Sequence, residues 1–229
     1  ISHRINDLLY YQNSISRSLS RFLKDEEVET GIYEILKDIL AFYRAGRAYI
    51  FETDEENHFY NCTYEVVAEG VKAEINKLQE IPVDFMPWWT SQILGKKPIL
   101  FETLKPMPGM GQGEYEVLSR QGIKALMATP LVVNDHVYGF MGVDLVDGSA
   151  SWSDEDYRWL SSLANVISIC LELRRAKEKV IFEQAALARS ERLFKNIFAN
   201  IPAGVEIYDK EGNLVDLNER DMDILGISD

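Results

Sequence analysis

From Asp154 to Ile201 the sequence contains neither proline nor glycine. Nearly fifty residues without a breaker predict one continuous helix, longer than a small domain can bury. Its start is written in "WSDEDYRWL". Ser153 is placed as an N-cap, and Asp156, three residues on, gives a variant of the capping box. Trp152 and Tyr157 occupy the positions of a hydrophobic staple, and Asp154 to Asp156 suit the positive end of the helix dipole. Along this stretch Val166, Leu173, Val180, Leu187, Phe194 and Ile201 recur at every seventh position, the period of a coiled-coil seam. A companion stripe, Ile169, Ala176, Glu183, Ser190 and Ile197, is polar in the middle. A second seam runs through residues 2–23, where Ile5, Leu8, Gln12, Ile15, Leu19 and Phe22 alternate steps of three and four. These patterns predict a homodimer held by N- and C-terminal helices, the dimer helix being carried by Val166, Leu173, Val180, Leu187 and Phe194. The plainer reading of the long helix is a solvated connector.

Between the two helices the pattern is mixed. "DEEVETGIYEILKDILAFYRAG" reads as a helix with Ile32, Ile35, Leu36, Ile39 and Leu40 on one face. "RAYIFETDEENHFYNCTYEVV" reads as strand, acidic turn, strand, with Tyr60, Cys62 and Tyr64 alternating onto one face. A short helix at Lys72–Leu78, a helix at Phe85–Leu94 and a strand at Pro98–Phe101 follow. "KPMPGMGQGE" is a loop, "EYEVLSRQGI" a short helix. "PLVVNDHVYGFMGVDL" is a hairpin turning on Asn134-Asp135, residues that tolerate the left-handed backbone of a two-residue turn. The fold class is therefore α+β, an antiparallel sheet covered by helices.

The net charge of −13 argues against nucleic acid and anionic membrane, both of which need clustered Lys and Arg. No apolar run reaches the length of a membrane span. Two cysteines are too few for a disulfide framework, so both are read as reduced thiols of a cytoplasmic protein. The sequence begins at Ile1 and is expected to be a piece of a longer one.

"ALMATPLVVNDHVYGFMGVDL" and "WSDEDYRWLSSLANVISICLE" resemble a GAF domain, in its closing hairpin and capped exit helix. "WWTSQILGKKPILF" is similar to the family's middle helix and strand. "RLFKNIFANIPAGVEIYDKEGNLVDLNERDMDILGI" looks like the first third of a PAS domain, with a "DKEGN" turn between two strands. A whole domain needs about a hundred residues, so this segment is expected to be truncated and without its own function. The expected organisation is a dimerisation helix at 1–23, a GAF sensory domain at 24–173, a signalling helix at 174–201 and a partial PAS domain at 202–229. GAF followed by PAS resembles the sensory half of bacterial sensor histidine kinases, cytoplasmic parts of two-component systems.

The resemblance implies a pocket over the sheet. Tyr60, Cys62, Tyr64, Trp88, Trp89, Thr129 and Val143 are the candidate lining residues, with the "MPGMGQG" loop as a lid. The plainer reading is that these side chains are core. No catalytic group or metal site is expected: His3, His58 and His136 do not pair at ligand spacing. No cofactor is expected, and Cys62 lacks the neighbours of a bilin-attachment cysteine. Two alternatives to the sensor stay open, a GAF-type enzyme that reduces free methionine sulfoxide and a ligand-free dimerisation scaffold.

Overall fold

The computed structural model describes residues 13, 28–54, 58–106 and 109–227. The lead seam of residues 2–23 lies outside the described residues, apart from Asn13. The described chain divides between Arg174 and Arg175 into two compact units.

The first unit is built on a six-stranded antiparallel sheet. Its strands are β1 (Arg47–Thr53), β2 (Phe59–Val67), β3 (Ile81–Pro82), β4 (Ile99–Phe101), β5 (Ala125–Val133) and β6 (His136–Leu145), in the spatial order β3-β2-β1-β6-β5-β4. The helices are α1 (Val28–Tyr43), α2 (Pro87–Leu94), α3 (Gln112–Arg120) and α4 (Asp154–Asn200). The architecture is the α+β one expected, a curled sheet with helices on both faces. Single 3₁₀ turns at Ile75–Lys77 and Val83–Phe85 replace the short helix read at Lys72–Leu78 and the first turn of the helix read from Phe85. Pro82 and Pro87 account for the second change: a proline is accepted in a first turn and obstructs the turn before it.

The β5–β6 hairpin turns on Asn134 and Asp135, both with positive φ, at 48° and 67°. That is the geometry an Asn-Asp pair tolerates and a β-branched pair would not.

The two faces of the sheet bury different partners. On one, Ala48, Ile50, Met127, Leu131, Met141 and Val143 pack under Ile32, Ile35, Leu36 and Ile39 of α1 and Leu160, Leu163 and Ile167 of α4. Those helix positions follow the three-and-four spacing that gives one apolar face. On the other, Tyr49, Phe51, Tyr60, Cys62 and Phe140 meet Trp89 and Ile93 of α2 and Leu118 of α3.

α4 starts as its sequence reads. The Ser153 Oγ accepts from the Asp156 amide at 3.1 Å, and the Asp156 carboxylate accepts from the Ser153 amide at 2.9 Å, so the box is reciprocal. Trp152 donates through Nε1 to the Phe101 carbonyl at 3.1 Å, and Tyr43 donates through its hydroxyl to the Asp156 carbonyl at 2.7 Å. The cap is thereby fixed to β4 and α1.

The second unit holds the end of α4, the hairpin β7 (Glu206–Tyr208) and β8 (Leu214–Leu217), and α5 (Glu219–Leu225). Asp209 organises the turn by accepting from the amides of Glu211 and Asn213 at 3.0 and 2.8 Å, and Gly212 takes a φ of 89°. Asn218 ties this unit together. Its Oδ1 accepts from the amides of Val205 and Asp221, and its Nδ2 donates to the carbonyls of Phe198 and Ala203.

Candidate functional site

The face of the sheet under α2 and α3 is not filled. A partly closed cavity of about 190 Å³ lies there, walled by aromatic rings. Phe51 and Phe140 are stacked with centroids 4.7 Å apart and planes 12° from parallel. Trp89 and Tyr60 stand edge-on to Phe140 at 5.2 and 5.3 Å. Tyr49 lies flat on Gly142, where a Cβ would fall 2.7 Å from its ring. Any side chain at position 142 would displace that wall. Phe85, 59% exposed, stands among the lining residues on the solvent side.

The seven residues expected at one cavity fall into three groups. Tyr60, Cys62 and Trp89 line it. Tyr64, Thr129 and Val143 do not. Val143 and Tyr64 belong to the core beneath α1 and α4, and Thr129 shares the face of β5 that carries Met127 and Leu131. Trp88 packs against Phe101 at 6.1 Å and beside Gly109, outside the lining. The error at Tyr64 has a definite cause. The β1–β2 register slips between Ile50 and Phe51, where Ile50 faces Tyr64 and Phe51 faces Cys62. Thr63 is the extra residue of a β-bulge, and a one-residue insertion moves every later side chain to the opposite face. Glu65 thereby reaches the cavity and Tyr64 leaves it. Val117, Leu118 and Gln121 of α3 also line the cavity. Met107 and Pro108 of the loop lie outside the described residues.

Several lining and supporting residues carried no sequence signal. Glu114 is 2% exposed, and its two carboxylate oxygens accept from the Trp89 amide at 3.0 Å and the Gly111 amide at 2.8 Å. One buried carboxylate thus joins the starts of α2 and α3. Arg47 donates to Asp144 at 3.2 Å, to the Lys72 carbonyl at 3.1 Å and to the Gln121 carbonyl at 2.9 Å. It holds together β6, the segment after β2 and the end of α3. On the opposite face Arg174 of α4 donates to Glu52 at 2.7 Å and to the Tyr64 hydroxyl at 2.6 Å.

The titratable groups of the site are set by burial. Burial pushes the Cys62 thiol up to about 12, with Glu65 adding to the effect, and burial alone does the same for Cys170. Both cysteines are free and protonated at neutral pH, hence poor nucleophiles. Burial also pushes the Tyr60 hydroxyl up, with the Thr90 hydroxyl opposing it. His58 and His136 are exposed, and no cluster of three metal-ligating side chains occurs among the described residues.

The predicted dimer stripe is solvent-facing along α4. Val166 is half-buried, whereas Leu173, Val180, Leu187 and Phe194 are exposed. No helix among the described residues is long and apolar enough to cross a membrane.

An aromatic cavity lies on one face of a curled antiparallel sheet, with α1 and α4 packed on the other, in an α+β domain. The chain belongs to the GAF domain family, whose model matches residues 27–171. Residues of this chain are 26% identical, over 149 positions, to the methanogenesis regulatory histidine kinase FilI of Methanothrix harundinacea. The match takes in 63% of this chain and spans 16% of that kinase. Among solved structures, the phycocyanobilin-bound GAF domain of a cyanobacterial phytochrome superposes with a TM-score of 0.61 at 13% identity, over 73% of this chain and 96% of that one. The blue-light-absorbing PixJ GAF domain of Thermosynechococcus elongatus gives 0.55 at 17% identity, over 66% and 88%. At these identities the likeness is one of fold.

Asp144 makes the site sensitive to pH. Burial raises its carboxyl from 3.8 to about 6, against the opposing pull of Arg47. Between those values the unfolded chain has lost a proton that the folded chain still holds. Stability from this group is therefore full below 3.8 and falls as pH rises to about 6, by roughly 1–3 kcal/mol. Urea unfolding of the wild type and Asp144→Asn should show the wild type losing ground to the variant across that window, with a constant difference above it. A difference that moves in favour of the wild type as pH rises would mean that the Arg47 ion pair outweighs burial.

Proposed function

We propose that this chain is the sensory module of a signalling protein. Its cavity takes a small molecule, and α4 carries the consequence to domains that lie elsewhere in the longer protein. The observation that carries this reading is the unfilled aromatic cavity on a sheet whose other face is packed by α1 and α4. The matched relative is a regulatory histidine kinase, which supports an output of that kind. A cytoplasmic, two-component setting is proposed with it. The strand, Asp-x-x-Gly turn, strand and capped helix of residues 206–225 support the start of a PAS domain as the next module. The boundaries proposed are 24–173 for the GAF domain, 174–201 for the signalling helix and 202–229 for the partial PAS domain, after a lead helix at 1–23.

The buried, protonated thiols of Cys62 and Cys170 favour a sensor over a methionine sulfoxide reductase, which needs a thiolate to attack sulfur. The cavity favours a ligand-binding domain over a scaffold. A thermal-shift screen of metabolites on the full chain tests this. A ligand at a hundred times its Kd adds about 2.7 kcal/mol of stability, which is roughly 5–10 °C in Tm for a domain of this size. A broad screen with no stabilising compound would leave the scaffold as the better description.

The exposed stripe from Leu173 to Phe194 supports a parallel homodimer in which each copy covers the other's seam. Sedimentation at high micromolar concentration should give a dimer, and Val180→Asp combined with Leu187→Asp should give a monomer. A wild-type monomer, or a double variant that remains a dimer, would place the contact elsewhere or remove it.

A further inference from the structure

Six aromatic rings share the cavity wall: Tyr49, Phe51, Tyr60, Phe85, Trp89 and Phe140. Such a wall has a chemical preference beyond its apolar bulk. The ring quadrupole attracts an organic cation that comes within about 6 Å of the ring. The rings are set crosswise, with planes 86° apart for Tyr49 and Phe51 and 74° apart for Tyr60 and Phe140. The wall therefore turns around the space and does not form a flat slot.

The charges on the lining lean the same way. Arg47 is committed to Asp144 at 3.2 Å and to two backbone carbonyls. The Lys77 ammonium donates to Glu74 at 2.8 Å, and its side chain is 58% exposed, so water screens it. Glu65 has no such partner. Its carboxylate accepts from the backbone amides of Glu74 and Ile75 at 2.9 Å, and no Lys, Arg or His pairs with it among the described residues. It stands opposite Tyr49 in the β1–β2 ladder. Burial raises the pKa of Tyr49, Cys62 and Asp144, and the Glu65 charge adds to that at all three, which are lining residues. With Glu74 included, three carboxylates meet two cations, and one negative charge is left unbalanced.

An anion entering here would face Glu65 and Asp144 with both cations already engaged, which is costly. A primary ammonium would need acceptors for three N–H groups from a wall that is mostly hydrocarbon. An ammonium whose hydrogens are replaced by alkyl groups needs none, meets the rings directly and is balanced by Glu65. Size sets the limit. A cavity of ~150 Å³ accommodates a benzene ring, and typical drug-sized sites begin at ~300 Å³. At about 190 Å³ the space suits a trimethylammonium head with a short arm. The net charge of −13 favours the approach of such a cation.

We infer that the cavity binds a small alkylated ammonium cation, held by the aromatic wall and balanced by Glu65. The inference rests on the sensor reading and specifies its ligand.

Three probes of one shape test it. Choline is the cation, neohexyl alcohol replaces its nitrogen by carbon, and the anion of tert-butylacetic acid carries the opposite charge on the same bulk. Each is titrated against the full chain at neutral pH and constant ionic strength, followed by the NMR resonances of Tyr60, Trp89 and Phe140. Choline should bind at millimolar concentration or below. Neohexyl alcohol should bind roughly two- to thirtyfold more weakly, the worth of a cation over aromatic rings. The anion should leave those resonances unmoved at the same concentration. Glu65→Gln keeps the shape and an acceptor oxygen and removes the charge. It should weaken choline roughly two- to fivefold and leave neohexyl alcohol unchanged, which a merely structural role for Glu65 would not do. Binding of the alcohol as tight as that of choline, tightest binding of the anion, or an undiminished preference for choline in Glu65→Gln would overturn the inference. Where the variant folds poorly, the wild-type comparison decides the matter. Should choline fail while a compound of another class stabilises the chain, the ligand class falls and the sensor reading stands. Should choline fail and no compound stabilise the chain, both fall.

Discussion

β1 is buried along its whole length and on both faces, yet it carries a charge near each end. Arg47 faces the cavity and Glu52 the helices. Neither is compatible with its position unless it is paired, because an isolated buried charge costs several kcal/mol. The pairings therefore dictate what must sit on each side. Arg47 fixes Asp144, the segment after β2 and the end of α3, which sets the floor and one margin of the cavity. Glu52 fixes Arg174, the residue at which α4 leaves the first unit. The central strand is thus tied to the cavity at one end and to the exit helix at the other.

The bulge at Thr63 completes this arrangement. Cys62 lines the cavity, and two residues later Tyr64 accepts from Arg174 on the opposite face. Without the extra residue, Tyr64 would point into the cavity and Arg174 would lose a partner. A single strand therefore contributes to both the site and the helix contact within three residues. That proximity is the physical basis for the proposal that the sheet links the cavity to the exit helix.

Much of the architecture was legible in the sequence because local chemistry dictated it. The Asn134-Asp135 turn, the Ser153 cap and the apolar face of α1 each follow from residues within a few positions of one another. The alternation of Tyr60, Cys62 and Tyr64 was legible and misleading, since a bulge leaves no mark in a period-two pattern. Trp89 was recognisable as a wall because an aromatic on a short covering helix has few other places to go. Thr129 and Val143 were placed on the wrong face for want of the register of β5 against β6. Glu114, Arg47 and Asp144 were invisible, because ordinary charged residues reveal burial only when their distant partners are known.

The claim that the sheet links its two faces is tested most directly by filling the cavity with an atom that makes no hydrogen bonds. Xenon enters apolar cavities of this size. Amide and side-chain NMR spectra of the full chain under xenon pressure should shift first at Phe51, Tyr60 and Phe140, which line the cavity. The account predicts a concerted shift, with the same pressure dependence, at Glu52, Tyr64 and Arg174 across the sheet. Shifts confined to the cavity wall, with the Arg174 contacts unmoved at saturation, would contradict it.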